Sequence, residues 1–343
     1  MTLLEIVIIS LIKIVILITM IFLTVAYLVY FERKISAWAQ NRLGPNRVGW
    51  QGVLQPFADV LKLLLKEDIV PEVANRKIHA MAPILALFVA FTTYAVIPIG
   101  PNIEILGYDI SLVVADVNIG VLYILALTSI GVYAITFAGW SSGSKYSLLG
   151  GIRSSAQMIS YEISMGFSIG GVLLLSESLR PIAIVESQSG LMWNALIQPI
   201  GFITFLVSAF AETNRLPFDL PEAEPELVGG FHTEYSSMKF AGFFLAEYAN
   251  MIIASAFIVT MYLGGWQIPF IDTFGLSSTL MIILQIASFF LKMAVLLFFF
   301  IWVRWSIPRF RYDQLMSLGW KVMFPLSLIN IIWVVVLIMV FGL

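Results

Sequence analysis

The sequence predicts an all-α, polytopic integral membrane protein, because of its composition and the length of its apolar runs. Of its 343 residues, 60% are hydrophobic and only 12% are charged, against roughly 25% charged in soluble domains. A soluble core could not bury that much apolar surface. Several runs reach about 20 residues, the length that an α-helix needs to cross the hydrocarbon layer. We therefore expect a single membrane domain over residues 1–343.

Eight apolar runs are long enough to span a membrane. The first has no small-residue cleavage site and continues directly into Glu32-Arg33-Lys34, so we expect it to be a retained span and not a signal peptide. No inverted repeat of the kind common in transporters is visible. The predicted spans are about 4–30, 81–100, 116–139, 156–176, 193–211, 240–263, 280–303 and 323–342.

The connections between these spans differ sharply in positive charge. Those at 31–80, 140–155, 212–239 and 304–322 together carry sixteen Lys and Arg, whereas the alternate connections carry one. Positive residues stay in the cytoplasm. This predicts that both termini lie on the non-cytoplasmic side of the cell (inner) membrane.

The first cytoplasmic connection contains an amphipathic helix, predicted at about 51–66. Its apolar residues recur at helical spacing: Leu54, Phe57, Leu61, Leu64 and Leu65. Polar residues fill the other face, which is typical of a helix lying in the headgroup layer. Two interpretations are open: a surface anchor in membrane lipid, or the wall of a lateral entrance for a lipid-soluble ligand.

Three carboxylates fall inside or at the edge of the predicted spans. Glu162 and Glu247 lie six or seven residues from the cytoplasmic ends of their runs, and Glu212 closes the fifth run. At 1.5 Å per residue, Glu162 and Glu247 lie about 10 Å below that edge. Ionisable groups in spans are costly and mark functional sites. Lys292, in the seventh span, is a possible counter-charge.

The connection after the fifth span is acidic on the side where positive charge is the rule. Pro217, Pro221 and Pro225 recur at every fourth residue, so we expect its acids to lie off any regular helix. Crowded carboxylates raise one another's pKa and are suited to sharing protons. Basic residues interleaved with aromatic ones follow the first and seventh spans. This pattern indicates a protein-binding face or the mouth of a polar pocket.

Composition also excludes several classes of function. The net charge of −2 argues against nucleic acid as a partner. There is no cysteine, so no thiolate can hold an iron–sulfur cluster, and the two histidines, His79 and His232, lie outside the apolar runs, which excludes an intramembrane bis-histidine haem. We expect no metal site, and any redox centres belong to partners or substrate.

Eight segments together carry a resemblance to a known family. They are FERK at 31–34, RLGPNRVG at 42–49, LQPFAD at 54–59, KYSLLGGIR at 145–153, AQMISYE at 156–162, AETNRLPFDLPEAE at 211–224, EYSSMKF at 234–240 and PRFRYDQLM at 308–316. With these, the chain resembles from end to end the H-type membrane subunits of bacterial NADH:quinone oxidoreductase, respiratory complex I. Their mitochondrial equivalent is NADH dehydrogenase subunit one.

The resemblance implies a non-redox subunit of an enzyme, a translocase that forms much of a quinone tunnel and couples quinone reduction to proton movement. Quinone is then the substrate, and FMN and iron–sulfur clusters belong to partner subunits. The implied partners are hydrophilic quinone-module subunits on the cytoplasmic face, and small and antiporter-like membrane subunits.

The resemblance also implies roles for individual residues. The proton path would comprise Glu162, Glu212, Asp219, Glu222, Glu224, Glu226, Glu234 and Glu247. The quinone-binding tunnel would comprise Arg33, Trp38, Arg42, Asp59, Lys62, Arg215, Phe244, Tyr248, Arg304 and Arg309.

Two other functions use similar features. A stand-alone cation or proton transporter could use the same carboxylates, although the long basic connections look like partner-binding segments. The membrane subunit of an energy-converting hydrogenase is related but needs no quinone. The RLGPNRVG segment and the acidic segment from Glu212 to Glu226 favour the quinone family.

Overall fold

A computed structural model describes residues 3–105, 108–190, 192–221, 224–271 and 277–342, without the side chains of residues 3, 105, 108, 224 and 225. Within these ranges the chain is almost entirely helical, which confirms the all-α membrane class. One short antiparallel hairpin is present, β1 (Ile103–Ile105) and β2 (Tyr108–Ile110). The helices are α1 (Leu3–Ala39), α2 (Gln55–Leu65), α3 (Arg76–Tyr94), α4 (Gly120–Ser141), α5 (Lys145–Ser176), α6 (Pro181–Ser187), α7 (Asn194–Ile197), α8 (Pro199–Glu212), α9 (Glu224–Leu227), α10 (Ser237–Tyr262), α11 (Ser278–Ser306), α12 (Tyr312–Leu318) and α13 (Phe324–Phe341).

Seven helices among the described residues are long and apolar enough to cross a membrane, and one shorter apolar helix, α8, accompanies them. The span at the C-terminus is continuous from α12 to α13 through a π-helical segment, Gly319–Met323. Pro325 follows that segment in the first turn of α13. Proline cannot donate an amide hydrogen and crowds the carbonyl four residues earlier, so a local change in helical winding is expected just before it.

Helix α1 is longer than the apolar run that predicted it. It continues through the charged FERK motif to Ala39 and spans about 55 Å at 1.5 Å per residue. Arg33 and Trp38, expected in a connection, therefore lie on this helix. Its last turns contact α10 and α11, and this contact buries Glu32.

The fifth predicted span is interrupted, since α7 and α8 are separated at Gln198. The 14 residues of α8 rise about 21 Å, less than the roughly 30 Å hydrocarbon layer. Asn330 of α13 bridges the interruption: its Oδ1 accepts from the Gly201 amide at 2.9 Å and its Nδ2 donates to Gln198 at 3.1 Å. Irregular backbone at membrane depth is tolerated when protein groups satisfy it in this way.

The amphipathic helix α2 is shorter than predicted and begins at Gln55. The preceding residues, Trp50–Gly52, form a 3₁₀ turn in which Gln51 and Gly52 have φ of +52° and +83°. That left-handed geometry interrupts an α-helix, so the predicted start at residue 51 is wrong. Pro56 then occupies the first turn of α2, where its missing amide hydrogen costs nothing.

Helices α5 and α10 lie at the centre of the bundle. Helix α5 packs against α4, α8 and α13, and α10 packs against α3, α1 and α11. Two-thirds of the most apolar window of α10 is buried, against about a tenth for α1. The Tyr262 hydroxyl of α10 donates to the Ser168 carbonyl of α5 at 3.0 Å, which ties the two central helices together. The carboxylates on these helices therefore lie inside the protein.

Candidate functional site

A buried ion cluster lies where α1, α10 and α11 meet the segment after α8. The Arg215 guanidinium lies 2.6 Å from Glu247 and 3.1 Å from Glu32. Glu32 also pairs with Arg304 at 2.5 Å and accepts a hydrogen bond from the Tyr248 hydroxyl at 2.7 Å. Two cations thus face two carboxylates, and pairing of this kind is what makes buried charge tolerable.

The turn that carries Arg215 is held by a side chain of α5. Gln157 is fully buried, and its amide nitrogen donates to the carbonyls of Ala211 and Phe218, each at 2.7 Å. These acceptors lie on either side of Arg215 in the sequence. A single amide therefore fixes both ends of the turn and aims Arg215 into the cluster.

The charge of Arg215 is stabilised by its surroundings. Burial alone would lower the pKa of Arg215, but the carboxylates of Glu247 and Glu32 outweigh it and raise that pKa above its usual range. The guanidinium carbon also lies 4.1 Å from the centre of the Tyr248 ring, a cation–π geometry. Arg215 is therefore a permanent cation beside two acids.

A cavity of about 90 Å³ lies between α3, α4, α5, α8 and α10, enough for several water molecules. Glu212 and Glu247 line it, together with His232 from the connection before α10. Much of the remaining wall is aromatic, including Phe240 and Phe244. Because Glu247 also belongs to the ion cluster, the cavity and the cluster share one carboxylate.

The three intramembrane carboxylates predicted from sequence lie in one connected group. Glu162 of α5 is close enough to Glu212 to repel its charge. Helix α4 contacts both acids, because Ser129 donates a hydrogen bond to Glu162 and Thr128 bonds Glu212. The structure thus brings together side chains from three helices that are far apart in the sequence.

Two acids of the connection after α8 occupy different environments. Asp219 interacts electrostatically with Glu247 at the edge of the ion cluster. Glu226 is 43% exposed and lies 2.5 Å from Arg153 and 3.7 Å from Arg309. Asp219 therefore belongs to the buried site, whereas Glu226 forms ion pairs at the surface of this chain.

The remaining acids of this connection are only partly described. Glu222 and the side chain of Glu224 lie outside the described residues. Residues 224–227 form one α-helical turn, so the expectation that Glu224 and Glu226 lie off any regular helix is wrong. Pro225 fits because a proline in the first turn of a helix loses no backbone hydrogen bond. Glu234 is half-buried.

The predicted tunnel residues separate into an inner and an outer set. The inner set comprises Arg215, Tyr248 and Arg304 in the ion cluster and Phe244 on the cavity wall. Arg309 is half-buried and lies between the two sets, at its pair with Glu226. The outer set lies at the surface of this chain. Arg33 and Asp59 pair at 2.6 Å, and Trp38, Arg42 and Lys62 are exposed. A tunnel role stays a prediction for both sets.

Lys292 is not a counter-charge to the carboxylates. Its ammonium donates to the carbonyls of Leu263, Gly265 and Gln267 at 2.7–3.0 Å and lies 4.5 Å from the ring centre of Trp193. These partners follow the C-terminal end of α10, about 24 Å along the helix from Glu247. The counter-charges are Arg215 and Arg304.

Among the ionisable residues of the site, sequence reasoning missed Glu32 and His232. Glu32 belongs to the FERK motif, but the apolar run ends just before it and so predicts a connection there. Burial lowers the pKa of His232 to about 4, so this imidazole is neutral at pH 7. Its position within the acidic connection was an available signal.

Comparisons with known proteins identify the chain's relatives. A model of the NADH dehydrogenase family matches residues 12–335. The H subunit of NADH-quinone oxidoreductase from Salinibacter ruber is 53% identical over 330 residues, which cover 93% of each chain. Subunit 8 of the same enzyme from Rhodothermus marinus is 56% identical over 320 residues, covering 90% of this chain and 91% of that protein. An H subunit from Geobacter sulfurreducens is 53% identical over 332 residues, covering 93% and 92%.

Proposed function

This chain belongs to the NADH dehydrogenase family and is a membrane subunit of NADH:quinone oxidoreductase; we propose that it forms the quinone tunnel and couples quinone reduction to proton translocation. Its buried carboxylates carry the coupling. The names of the relatives favour this function over that of a hydrogenase component or a stand-alone transporter.

The observation that carries the proposal is the carboxylate shared by the cavity and the ion cluster. Glu247 pairs with Arg215 and lines the cavity that Glu212 also lines. A change of charge near the cluster acts on Glu247 directly, because Coulomb interactions are strong where water is scarce. Protons taken up or released by Glu247 then pass to Glu212 and Glu162 through water in the cavity and side-chain motion.

Quinone approaches this cluster along an aromatic path. Phe244 lies on the cavity wall, and its ring centre is 4.8 Å from that of Tyr248, whose hydroxyl bonds Glu32. Aromatic surface suits an isoprenoid tail and a quinone ring, while Arg304 and Arg215 offer positive charge to the reduced ring. Reduction draws protons locally, and the ion cluster is the group of charges placed to respond.

The redox cofactors belong to partners in this proposal. FMN and iron–sulfur clusters are carried by other subunits of the complex, and the absence of cysteine supports this, since cysteine thiolates are the usual cluster ligands. The basic cytoplasmic connections face the hydrophilic quinone-module subunits. Small and antiporter-like membrane subunits receive the proton path, and both termini lie on the non-cytoplasmic side of the inner membrane.

Replacing Glu162 with Gln tests the proposal. Glu162→Gln keeps the shape and the hydrogen bond with Ser129 but cannot ionise, so we expect an assembled complex on native gels with quinone-linked NADH oxidation and proton pumping lowered together. Glu186→Gln is the matched control, because Glu186 is exposed on α6. Normal pumping in Glu162→Gln would refute the proposed proton path.

A further inference from the structure

Two neighbouring residues of α4 each contact a different buried carboxylate. The Ser129 hydroxyl donates to Glu162 of α5, and Thr128 bonds Glu212 at the end of α8. Consecutive residues on an α-helix point about 100° apart. One turn of α4 therefore reaches two helices at once and sets the positions of both acids.

Both hydroxyls have a second acceptor, and it is the same atom. Thr128 Oγ1 lies 2.9 Å and Ser129 Oγ 3.1 Å from the Leu125 carbonyl oxygen one turn earlier. A hydroxyl carries one hydrogen, which rotates to suit its surroundings, and its oxygen can also accept. Each hydroxyl thus has two acceptors within reach for one hydrogen, a carbonyl and a carboxylate.

We propose that Thr128 and Ser129 are positioning residues of the proton path that turn their hydrogen bonds as Glu212 and Glu162 change protonation state. When the acid is ionised, the hydroxyl hydrogen points at the carboxylate. When the acid is protonated, its O–H donates to the hydroxyl oxygen, and the hydroxyl hydrogen turns to the Leu125 carbonyl. The hydroxyl keeps its own hydrogen throughout, so this rotation transfers no proton.

This arrangement lowers the cost of changing protonation state inside the protein. Leaving a buried polar group without its hydrogen bond costs more free energy than the bond contributes when it is made. With a rotating hydroxyl, the ionised and the protonated acid are both hydrogen-bonded. The inference rests on the proposed proton path. It adds the residues that let the carboxylates of this path gain and lose a proton reversibly.

The titratable groups around these acids come from several elements. Among the described residues, those facing Glu212 are Glu162 of α5, and Glu247 of α10 and His232 across the cavity. Glu162 in turn faces Glu212. The α4 hydroxyls are therefore neutral donors set among acids and a neutral imidazole.

The test removes each hydroxyl with little change of shape. In Ser129→Ala and Thr128→Val the carboxylate loses a donor and holds its proton more tightly. In the complex reconstituted into vesicles, we expect the acid limb of the pH profile of NADH-driven proton pumping to move up by about one pH unit. Ser129→Thr and Thr128→Ser keep a hydroxyl at each position, so their pH profiles should match that of the wild type.

A matched control lies further along the same helix pair. Thr136 of α4 and Ser155 of α5 bond each other at 2.6 Å, so Thr136→Val and Ser155→Ala remove hydroxyls from the α4–α5 interface without touching either acid. We expect no shift in these variants. An equal shift in the controls, or the same shift in Ser129→Thr and Thr128→Ser, would overturn the inference.

The inference and the proposed function fail in different ways. Normal proton pumping in Glu162→Gln would contradict the proposed proton path itself. Loss of pumping in Glu162→Gln with a wild-type pH profile in both Ser129→Ala and Thr128→Val would overturn only the role of the hydroxyls. Because Thr128 and Ser129 act on different acids, each variant tests the inference if the other fails to assemble.

Discussion

At the scale of single residues, Arg215 holds the buried charges together. It is 3% exposed and lies between Glu32 and Glu247, whereas the surface pair of Arg33 with Asp59 has side chains 45% and 30% exposed. Removing one partner of a buried pair leaves an uncompensated charge, which costs far more than losing an exposed pair.

We expect Arg215→Gln to destabilise the chain by about 3–5 kcal/mol, and Arg33→Gln by less than about 1 kcal/mol. The measurement is the thermal midpoint of the purified complex. Adding Glu247→Gln to Arg215→Gln removes an acid that has lost its ion-pair partner, so the double variant should be more stable than Arg215→Gln alone. A double variant no more stable than the single one would show that Arg215 acts through packing.

His232 makes stability depend on pH. Burial lowers its pKa to about 4 in the folded protein, against roughly 6.5 when unfolded. The unfolded chain therefore binds more protons between these values, and stability is lost as pH falls from about 6.5 through about 4. We expect the thermal midpoint of His232→Asn to fall less over this interval than that of the wild type. Parallel curves for the two proteins would contradict this assignment.

At the scale of elements, α2 bridges α1 and α10 at the edge of the bundle. Asp59 of α2 pairs with Arg33 of α1, and the Ser237 hydroxyl at the start of α10 donates to the Leu63 carbonyl at 3.0 Å. The apolar side chains of α2, including Phe57, are largely exposed. The helix is thus fixed by polar contacts while its apolar face is open to lipid, which fits both an anchor and an entrance.

The two roles of α2 differ in their dependence on the quinone tail. If α2 walls a lateral entrance, Phe57→Ala should raise the apparent KM for a long-tailed quinone several-fold and leave that for a short-tailed analogue nearly unchanged. Leu65→Ala is the matched control, because Leu65 is the last residue of the same helix and its side chain is 87% exposed. An equal change of KM for both quinones would leave α2 as an anchor.

At the scale of the whole molecule, the absence of cysteine makes the orientation directly testable. Ser189 lies in a connection and Lys145 begins α5; both are exposed, and the charge bias assigns them to opposite sides. A membrane-impermeant maleimide should label Ser189→Cys in spheroplasts and Lys145→Cys in inverted vesicles, with detergent-treated samples as the control for burial by partners. The reverse pattern would invert the predicted topology.

Much of the architecture could be predicted because it depends on local composition. The all-α membrane class follows from long apolar runs, since no other backbone satisfies its own hydrogen bonds in lipid. The acids Glu162, Glu212 and Glu247 were identifiable for the same reason: a charge inside an apolar run stands out. Their similar depth near one edge of the membrane was predicted by counting residues along helices of known rise.

Partners across the bundle could not be predicted in this way. Glu32 comes just after an apolar run and resembles the start of a connection. Helix α1 nevertheless continues, because α10 and α11 bury its last turns and because Arg215 and Arg304 neutralise the acid. Lys292 resembles a counter-charge to the acids. Its ammonium instead donates its hydrogen bonds to backbone carbonyl oxygens that follow α10.

The sequence by itself determined that this protein spans a membrane and which acids lie inside its apolar runs, and it predicts which side carries positive charge. Apolar length and charge act locally through the bilayer, so they can be read along one chain. Only the tertiary structure decided that Glu247 is shared by an ion cluster and a cavity, and that Thr128 and Ser129 bond two different acids. Those contacts join residues far apart in the chain, and the electrostatic and hydrogen-bond energies that govern them depend on distances that only the packed helices set.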